Sequence, residues 1–485
     1  MKKIVIIGAG PGGLTAGLLL TSKGFDVHIY EKDERVGGRS QRLTLGDYHF
    51  DLGPTFLMYT EILENVFKKA GYDLFKSLEL IQLDPLYKLR FEKHTFELSR
   101  YPSENYRIYE HYKKGLGYDY QKWLKAQERK LKKIRPILEK PFTSKWLYLR
   151  SDVLNAAFEL RPFKSLYRHL SDFNRDETFI HTLSFQAKYL GMSSFEAPSI
   201  FSFLPYLEHR LGLYHVKGGL NQINEKMAEL FQKNKGHLHL SSPVKNILIE
   251  DQKALGIVLE SGEEIRADEV VLNADFSYAM SKLIDQKHLK KYHPTALNKK
   301  KYSVSTMMIY LGLNQTYDFS HHEIVFSKDY KSFLENLMNN QTSLDLSYYL
   351  HNPSKIDQTL AKPGHSALYI LVPVPNLRGE EDFETEKMRI YESVIHDIET
   401  RYQVDIKKHI EVQKIITPQN WQDDYHVYLG AVFNLSHGLD QMLDKRPHNQ
   451  FEEIKHLYLV GGGTHPGSGL PTIYQSALIL DELIT

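Results

Sequence analysis

The sequence predicts an α/β fold with a parallel sheet of the Rossmann type, and three observations support this prediction. Residues 8–13 form a glycine-rich turn directly after an apolar strand, and residues 461–471 form a second such turn far along the chain. The third observation is a carboxylate, Glu31, at the end of the second predicted strand. A chain with both turns can fold around one elongated ligand, which favours a dinucleotide held at both ends.

Composition restricts the classes of function. At 485 residues the chain is long enough for two or three packed units. It contains no cysteine, which excludes disulfides, thiolate nucleophiles, iron–sulfur clusters and cysteine–zinc sites. No metal site is predicted, and the absence of cysteine favours a cytoplasmic protein.

The first residues resemble a secretory signal because two lysines precede an apolar run. The glycines of residues 8–13 would break a targeting helix, and a β-like segment follows at 27–31, so we interpret the run as strand, turn and helix. No other stretch reaches the roughly 18 apolar residues that cross a bilayer. Any membrane association is therefore expected to be peripheral.

A compact βαβ unit is predicted from strand 4–7, helix 13–22 and strand 27–30. Such units imply a parallel sheet with right-handed crossovers. The first turn satisfies the pattern G-x-G-x-x-G, which lets the backbone approach a pyrophosphate at the helix N-terminus. Its glycines and proline are Gly8, Gly10, Pro11, Gly12 and Gly13.

Two further positions extend this unit. Glu31 lies 18 residues after Gly13, where a carboxylate accepts hydrogen bonds from ribose hydroxyls and disfavours an additional phosphate. Gly37 and Gly38 let the chain pass close to a cofactor, and the guanidinium of Arg39 can bind pyrophosphate oxygens. Plain NAD-binding folds do not require this extension.

A further turn covers residues 50–55 and ends in Gly53, Pro54 and Thr55. Thr55 is a candidate N-cap for a helix that includes Glu61. An ordinary loop into a helix explains the same pattern, and both interpretations stay open.

Residues 101–211 are predicted to be mostly helical, with aromatic and basic residues at mixed three- and four-residue spacing. Within them, residues 113–168 carry 15 Lys or Arg against 5 Asp or Glu, and the interleaved aromatic residues are Trp123, Trp146, Tyr148, Phe158, Phe163 and Tyr167. This mixture suits an anionic lipid surface, and helices with solvated charged faces are the alternative. No nucleic-acid recognition module accompanies the charge, so nucleic acid is not an expected partner.

The Rossmann-type pattern returns after the helical segment. Short strands are predicted at 237–240, 244–250, 254–260 and 269–273. Strands at 304–313 and 368–374, separated by polar loops, predict a further sheet that belongs to a substrate domain. The domains are therefore expected to be discontinuous in sequence.

In the second glycine turn, Gly461, Gly462 and Gly463 leave space for a ligand, and Pro471 suits the first position of a helix. The positive end of that helix would favour negative charge on the ligand. His465 is the only titratable side chain of the turn. It is a candidate base, since a pKa of about 6.5 suits proton transfer near neutral pH, and a structural histidine that fixes the loop is the alternative.

These motifs resemble the bacterial carotenoid desaturases, the family of FAD-dependent phytoene and dehydrosqualene desaturases. The likeness spans nearly the whole chain. It is carried by the first glycine motif, Glu31 with Gly37-Gly38-Arg39, Asp51-Leu52-Gly53-Pro54-Thr55, Lys217-Gly218-Gly219, Asn273-Ala274-Asp275, Arg446-Pro447-His448-Asn449 and Thr464-His465-Pro466-Gly467-Ser468-Gly469. The last motif is the family's signature. It usually has Ala where this chain has Ser468, a small-for-small change.

The resemblance implies an FAD-binding, amine-oxidase-like flavoprotein fold with a mixed-sheet substrate domain and a helical membrane-facing subdomain. Residues 1–75, 212–290 and 435–485 would form the FAD-binding domain, 76–100 and 291–434 the substrate domain, and 101–211 the helical subdomain. Val244 would contact adenine through its backbone, and the turn from Thr464 to Leu470 would lie against the flavin ring. Asp275 is either a cofactor contact or a strand-end residue that orients a loop. The implied cofactor contacts are Gly8, Gly10, Pro11, Gly12, Gly13, Glu31, Lys32, Gly38, Arg39, Gly53, Pro54, Thr55, Val244, Asp275, Gly463, Thr464, Gly469 and Leu470.

The implied activity is desaturation of phytoene or of 4,4'-diapophytoene (dehydrosqualene), with hydride transfer to flavin and loss of a proton. The resemblance leans toward the thirty-carbon substrate and implies peripheral association with the cytoplasmic membrane. Oxygen and a quinone are both open as electron acceptor, and the number of desaturation steps and the oligomeric state stay open. Oxidation of a carotenoid terminal methyl group and polyene isomerisation are the alternatives on the same scaffold. A non-catalytic escort of prenyl lipids is a further one.

Overall fold

The computed structural model of the chain describes residues 1–343 and 345–485, without the side chain of Tyr189. The strands are, in chain order, β1 (Lys3–Ile7), β2 (Asp26–Tyr30), β3 (Arg42–Leu45), β4 (Tyr48–Asp51), β5 (Leu57–Met58), β6 (Leu80–Gln82), β7 (Tyr87–Arg90), β8 (Thr95–Leu98), β9 (Leu213–Val216), β10 (His237–His239), β11 (Val244–Glu250), β12 (Lys253–Leu259), β13 (Glu264–Arg266), β14 (Glu269–Leu272), β15 (Ser305–Leu313), β16 (His322–Val325), β17 (Tyr348–His351), β18 (Ser366–Val374), β19 (Ile410–Ile416) and β20 (Leu457–Leu459).

The helices are α1 (Pro11–Ser22), α2 (Thr60–Lys69), α3 (Leu74–Ser77), α4 (Pro102–Tyr112), α5 (Leu116–Leu138), α6 (Ser151–Leu160), α7 (Leu166–Leu170), α8 (Glu177–Thr182), α9 (Phe203–Leu211), α10 (Gln222–Lys233), α11 (Phe276–Lys282), α12 (Pro294–Leu297), α13 (Tyr330–Met338), α14 (Phe383–Tyr402), α15 (Pro418–Asp423) and α16 (Leu470–Leu483). Short 3₁₀ turns include Gly38–Ser40, Lys145–Leu149 and Phe185–Leu190.

A five-stranded sheet in the order β10-β2-β1-β14-β20 forms the centre of the dinucleotide-binding part. All its strand pairs are parallel, and the strands read as short apolar runs because helices cover one face and a small sheet the other. Helices α1, α10 and α16 pack on one face through buried residues such as Leu18, Phe231 and Ala477. The antiparallel sheet β11-β12-β13 and helix α11 contribute to the core that includes Val5 and Leu272. The predicted Rossmann-type sheet is confirmed.

A seven-stranded sheet in the order β19-β15-β18-β17-β16-β7-β8 forms the second layer of the molecule. It is mixed, because β16 pairs with β7 in parallel and the other neighbours are antiparallel. Helix α14 packs on one face through Ile390, Val394 and Ile398. The predicted mixed sheet is confirmed.

Helices α4 to α9 follow one another between β8 and β9, with no strand among the described residues of 101–211. They enclose aromatic side chains such as Tyr109, Tyr120 and Trp123, which pack with residues of β7 and β8 into one apolar core. Two smaller elements link the layers: the hairpin β3-β4 and the three-stranded sheet β5-β9-β6. In the part of the chain that the structure describes, every helix is too short or too polar to cross a bilayer.

Candidate functional site

A cavity of about 460 Å³ extends from the glycine turn after β1 to the seven-stranded sheet. Its volume lies in the range of small-molecule and cofactor sites. Its lining includes residues of the first turn at 7–12, the loops at 30–33 and 38–40, residues of the turn at 53–58, and residues 461–463 and 468–471 near the other end of the chain. Strands of the mixed sheet close the other end. The two predicted glycine turns therefore meet at one cavity.

The first turn places backbone rather than side chains on the cavity wall. Gly8, Gly10, Pro11 and Gly12 line the cavity. Gly13 lies behind them, where a Cβ atom would come within 2.1 Å of the Gly8 carbonyl oxygen. Helix α1 has no side-chain cap and no acidic residue in its first turn. Its free N–H groups and positive dipole end are thus available to a phosphate.

Glu31 follows β2 and lines the cavity together with Lys32 and Val244. Its carboxylate is buried and accepts hydrogen bonds from the backbone N–H groups of Ala9 (2.7 Å) and Asp33 (3.1 Å). Burial raises the pKa of Glu31, and the two backbone hydrogen bonds oppose that rise. A carboxylate accepts at several lone pairs, so Glu31 retains acceptor capacity toward the cavity.

The loop after β2 brings Gly38 and Arg39 to the cavity. Arg39 Nη1 donates a hydrogen bond to the carbonyl oxygen of Val432 at 2.6 Å. Burial lowers the pKa of the guanidinium, and the charge of Asp275 opposes that effect. A Cβ atom at Gly53 would lie 2.4 Å from the carbonyl oxygen of Arg39, which explains the glycine in the following turn.

Asp275 also lines the cavity, and both oxygens of its side chain accept hydrogen bonds from other residues of the protein. It caps helix α11 by accepting a hydrogen bond from the N–H of Tyr278 at 3.1 Å. Its second oxygen accepts a hydrogen bond from the amide of Asn434 at 2.6 Å. Burial raises the pKa of Asp275, and Arg39 opposes the rise. The interpretation of Asp275 as a residue that orients a loop at the strand end thus agrees with its geometry.

Gly53, Pro54 and Thr55 line the middle of the cavity. The hydroxyl of Thr55 lies 2.8 Å from the hydroxyl of Tyr349 on β17. Helix α2 begins only at Thr60 with no side-chain cap, so the interpretation of Thr55 as a helix N-cap is wrong. The short strand β5, which pairs with β9, lies between Thr55 and helix α2. The alternative prediction, an ordinary loop that leads to a helix, is therefore the correct one.

The second turn mirrors the first. Residues 461–463 and 468–471 line the cavity. Helix α16 begins at Leu470, and its N-cap residue Gly469 has a φ of 113° and no side chain to cap the helix. Its first turn contains no acidic residue. A second helix N-terminus therefore presents free N–H groups to the same cavity.

His465 and Thr464 lie in this turn, but neither lines the cavity. The Nε2–H of buried His465 donates to the carbonyl oxygen of Lys140 at 2.9 Å. Burial lowers the pKa of His465 to about 4. Thr464 is buried too and donates its hydroxyl to the carbonyl oxygen of Pro447 at 2.6 Å. The structure therefore directs both side chains into the protein.

Two residues that brace the turn had no role in the sequence analysis. Arg446 is fully buried and donates to the carbonyl oxygens of Gly462 (2.7 Å) and Thr464 (3.1 Å). Asn449 Nδ2 donates to the carbonyl oxygen of His465 at 3.0 Å. Both belong to the Arg-Pro-His-Asn motif on which the resemblance partly depends. The motif ends 12 residues before Gly461, and its polar residues were the signal available in the sequence.

Asn273, which follows β14, links the two turns. Its Nδ2 donates to the carbonyl oxygen of Gly8 at 3.1 Å. Cβ atoms placed at Gly12 or Gly461 would come within 3.2 Å of the Asn273 side-chain oxygen. The side chain of Asn273 thus fills the space that Gly12 and Gly461 leave open because they lack a Cβ atom.

The end of the cavity at the mixed sheet is mainly apolar. Its walls include Phe56, Met58, Val304, Met308, Ile324 and Leu371. Tyr349 and Tyr369 also line it, and their hydroxyls are engaged by Thr55 and by the carbonyl oxygen of Gly53. This end therefore suits an apolar ligand rather than a phosphate.

Lys188 is a cation in this apolar end, and the sequence analysis did not single it out. Its Nζ donates to the hydroxyl of Ser347 at 3.2 Å and lies 5.5 Å and 5.2 Å from the ring centres of Phe326 and Tyr330. Burial lowers its pKa to about 7. Near neutral pH the amine is therefore present in both protonation states.

Comparisons with known proteins agree with this arrangement. The chain matches the flavin-containing amine oxidoreductase family over residues 11–479. It belongs to that family. The flavin cofactor predicted from the sequence is thereby confirmed. The uncapped N-terminus of α1 and the Glu31 carboxylate fit the pyrophosphate and ribose of FAD, and the uncapped N-terminus of α16 suits negative charge on its flavin ring.

Within the family, the chain belongs with the carotenoid desaturases. It is 42% identical over 490 residues to a 4,4'-diapophytoene desaturase (4,4'-diapolycopene-forming) of Methylomonas sp, covering 100% of this chain and 95% of the relative. It is 33% identical over 497 residues to a zeta-carotene-forming phytoene desaturase of Myxococcus xanthus, covering 100% and 94%. The resemblance seen in the motifs is confirmed.

The flavoprotein fold is shared with solved structures. An oxidoreductase from Methanosarcina mazei aligns with a TM-score of 0.67 over 99% of this chain and 100% of its own, at 17% identity. At that identity the alignment demonstrates the common fold alone.

Proposed function

We propose that this chain catalyses FAD-dependent desaturation of a linear carotenoid precursor in carotenoid biosynthesis. One observation carries the proposal: a single cavity joins two uncapped helix N-termini to an apolar end. A polyene and a flavin can therefore lie next to each other in one space. The identity to carotenoid desaturases supports the same reaction.

The proposed substrate is the thirty-carbon 4,4'-diapophytoene. Identity to the diapophytoene desaturase is 42%, against 33% for the phytoene desaturase. The competing substrate is phytoene, which the name of the Myxococcus xanthus relative gives. Residues 1–75, 212–290 and 435–485 would act as the FAD-binding domain, and 76–100 with 291–434 as the substrate domain. All strands of the two large sheets fall within those segments.

Desaturation removes a hydride and a proton from two neighbouring saturated carbons. FAD supplies the hydride acceptor when it is bound, because no side chain can store two electrons. An external acceptor, oxygen or a quinone, takes the two electrons away between turnovers. The protein aligns the two reactants and excludes water with its apolar walls.

The proton requires an acceptor at the apolar end, and Lys188 is the proposed one. Its neutral amine would take the proton at Nζ as the new carbon–carbon double bond forms. The hydroxyl of Ser347 and two aromatic rings would hold the resulting ammonium. His465 is unsuited to this role because its buried side chain does not line the cavity and its Nε2–H is donated to the carbonyl oxygen of Lys140. We propose that His465 holds the turn instead.

A helical face suited to an anionic membrane accompanies this cavity. Among the large apolar side chains that are exposed, five lie within residues 146–163. They are Trp146, Leu149, Leu154, Phe158 and Phe163. Lys145 directly precedes them, and Arg150 and Arg161 lie between them in the sequence. This combination favours anionic lipid. Peripheral binding to the cytoplasmic membrane would bring the enzyme to a substrate that dissolves in the bilayer.

Terminal-methyl oxidation, polyene isomerisation and lipid escort are the alternative functions. An escort needs a lipid pocket but no phosphate-binding turns, and this chain brings two of them to the cavity. Oxidation of a terminal methyl group would add oxygen, and isomerisation would leave the number of double bonds unchanged. The product therefore separates the three enzymatic possibilities.

The test is expression of the full chain in two hosts, one that makes 4,4'-diapophytoene and one that makes phytoene. Pigments are separated by chromatography and identified by absorbance and mass. We expect a conjugated thirty-carbon product whose mass has fallen by two hydrogens for each double bond. A folded, yellow flavoprotein that gives no desaturated product in either host would contradict the proposal. A forty-carbon product alone would reverse the choice of substrate.

A further inference from the structure

Three buried histidines from distant parts of the chain meet beside the cavity wall. They are His215 on β9, His321 directly before β16, and His351 on β17. One potential ligand atom of each lies within 4.8 Å of those of the other two. The ring centre of His321 lies 5.2 Å from the ring centre of His215 and 4.8 Å from that of His351. The cluster is separate from the residues that line the cavity.

Four nitrogens of this cluster lack hydrogen-bond partners among the described residues. These atoms are His215 Nδ1, both ring nitrogens of His321, and His351 Nε2, all shielded from solvent. A buried polar atom without a partner is costly to the fold, and native proteins rarely keep several together. Such a concentration indicates a ligand that accepts electron pairs from imidazoles.

The orientation of His215 supports the same conclusion. Its Nε2–H donates to Asp357 Oδ2 at 2.8 Å. The carboxylate is held in turn by the N–H groups of Gly218 (2.7 Å) and Thr359 (3.0 Å). This bond fixes the tautomer in which Nδ1 carries a free lone pair. A carboxylate that orients a histidine through its other nitrogen is the usual arrangement around metal-bound histidines.

We propose that His215, His321 and His351 bind one divalent first-row transition metal ion, with Zn²⁺ as the best match. Three imidazoles suit Zn²⁺, and a water molecule can complete a four-coordinate shell. Zn–N distances of about 2.0 Å place tetrahedral ligands roughly 3.4 Å apart. Modest side-chain rotations would close the present separations to that value. Sequence reasoning predicted no metal, because it considered cysteine ligands only.

A carboxylate behind the cluster suits a cation. Asp357 accepts the Nε2–H of His215 and so lies one hydrogen bond from the proposed ligand. Imidazoles bind metal ions in their neutral form.

The proposed ion would have a structural role. It would join β9, which belongs to the small sheet β5-β9-β6, to β16 and β17 of the seven-stranded sheet. His351 packs against Tyr369 with ring centres 5.9 Å apart, and His322 stacks on Tyr349. Both tyrosines line the cavity. The metal would thus hold the tyrosine wall in place without touching a substrate.

The experiment measures metal content of the full-length FAD-loaded protein after removal of any histidine tag. Elemental analysis by plasma mass spectrometry should find one equivalent of Zn²⁺ per chain after incubation with Zn²⁺ and desalting. The variants His321→Ala and His351→Ala should retain no stoichiometric metal. His181→Gln is the matched control, since His181 is also buried with an unpartnered Nδ1 but lies outside the cluster. It should keep the full equivalent.

A second measurement does not depend on the stability of the variants. Wild-type protein loaded with Co²⁺ should show the strong visible absorption of four-coordinate cobalt, and excess Zn²⁺ should remove it. The proposal is overturned if wild-type protein binds no stoichiometric Zn²⁺ or Co²⁺, or if both alanine variants keep the ion. In the first case, buried water molecules satisfy these nitrogens instead. Neither readout depends on desaturase activity.

Discussion

Glu31 Oε2 accepts a hydrogen bond from the backbone N–H of Ala9 at 2.7 Å, which ties the end of β2 to the glycine turn after β1. The second oxygen of the carboxylate accepts from Asp33 N–H at 3.1 Å. One side chain thus shapes the turn and also faces the ligand. Shaping the turn and binding a ligand both require that the two carboxylate oxygens of Glu31 act as hydrogen-bond acceptors.

The first prediction concerns Glu31→Gln. An amide accepts at only one of its two polar atoms, so the N–H of either Ala9 or Asp33 would face an NH₂ group. The loss of a charge-assisted hydrogen bond costs about 1 kcal/mol or more, and we expect FAD affinity to fall roughly tenfold. Quenching of flavin fluorescence during titration of the apoprotein measures it. Glu34→Gln, an exposed neighbour, should change nothing; equal losses in both would contradict the assignment.

The second prediction concerns Gly13→Ala. The new Cβ atom would lie 2.1 Å from the Gly8 carbonyl oxygen, which is backbone and cannot rotate away. We expect a loss of about 1–3 kcal/mol in unfolding free energy, as for other overpacked sites, together with loss of bound flavin. Gly24→Ala is the control at the other end of α1. It has open space and a φ of 87°, so it should cost about 1 kcal/mol of strain and keep its flavin. If the Gly13→Ala variant kept its flavin, the tight packing of Gly13 against the Gly8 carbonyl would not be needed for cofactor binding.

The third prediction concerns Lys188 and pH. Only the neutral amine accepts a proton, so the rate of flavin reduction should rise as pH increases through about 7. Lys188→Met should lower the anaerobic rate of flavin bleaching by about 10²-fold or more. Lys188→Arg should be equally slow, because a guanidinium stays protonated.

Chemical rescue separates a catalytic role of Lys188 from a structural one. Small primary amines should restore part of the activity of Lys188→Ala, and the pH dependence should then follow the added amine. Lys130→Met is the control. Lys130 is also buried with a pKa lowered to about 8, but it pairs with His169 away from the cavity. A Lys188→Met enzyme with an unchanged rate and pH profile would remove Lys188 from the reaction.

The fourth prediction concerns stability and pH through Glu208. Its buried carboxylate accepts from Tyr87 OH (2.9 Å) and Gln186 Nε2 (2.8 Å), and burial raises its pKa to about 7. Between its unfolded pKa, about 4.3, and 7, the folded state binds more protons than the unfolded state. The unfolding free energy contributed by this group therefore falls as pH rises, by up to about 1.4 kcal/mol per pH unit.

Glu208→Gln removes the titrating group but keeps the hydrogen-bonding shape. Urea unfolding at pH 5 and at pH 8 should show a smaller loss of stability with rising pH for the variant than for the wild type. Glu34→Gln should keep the wild-type dependence. Parallel curves for wild type and Glu208→Gln would mean that the carboxylate titrates in the ordinary range.

The fifth prediction concerns the exposed aromatic side chains of the helical segment. Phe158 and Phe163 are 87% and 94% exposed. Their joint replacement by Ser should weaken binding to vesicles that contain phosphatidylglycerol by at least about tenfold, since burial of one Phe contributes about 1.5–3 kcal/mol. Sedimentation with vesicles measures binding. Met388→Ser, an exposed apolar residue on α14, is the control. Equal binding by both variants would place the contact elsewhere.

The parts of the fold that could be predicted depend on local pattern. The strands at 244–250 and 305–313 and the turn at 8–13 are encoded by residue types at short, fixed spacing. The order of strands within each sheet is not, because β14 pairs with β1 and β20 pairs with β14 although each lies far along the chain from its partner. Long-range pairing leaves no periodicity in a single sequence.

The features of the site that the sequence did not reveal have the same origin. From its place in a glycine turn His465 is predicted to be either a base or a structural histidine, and the partner that orients it is the backbone carbonyl of Lys140. Backbone carbonyls have no sequence signature. Lys188 is one lysine among many in a helical segment, and its altered pKa arises only from packing. The three clustered histidines likewise belong to separate strands and loops.

The strand order of the parallel sheet has a consequence for biosynthesis of the enzyme. When translation has produced residue 450, the nucleotide turn at 8–13 and Glu31 already exist, but β20 and the turn at 461–471 do not. The cofactor then has only one of its two helix N-termini. Stable flavin incorporation must therefore wait until the chain is nearly finished, and a chain truncated before β20 should leave the ribosome colourless.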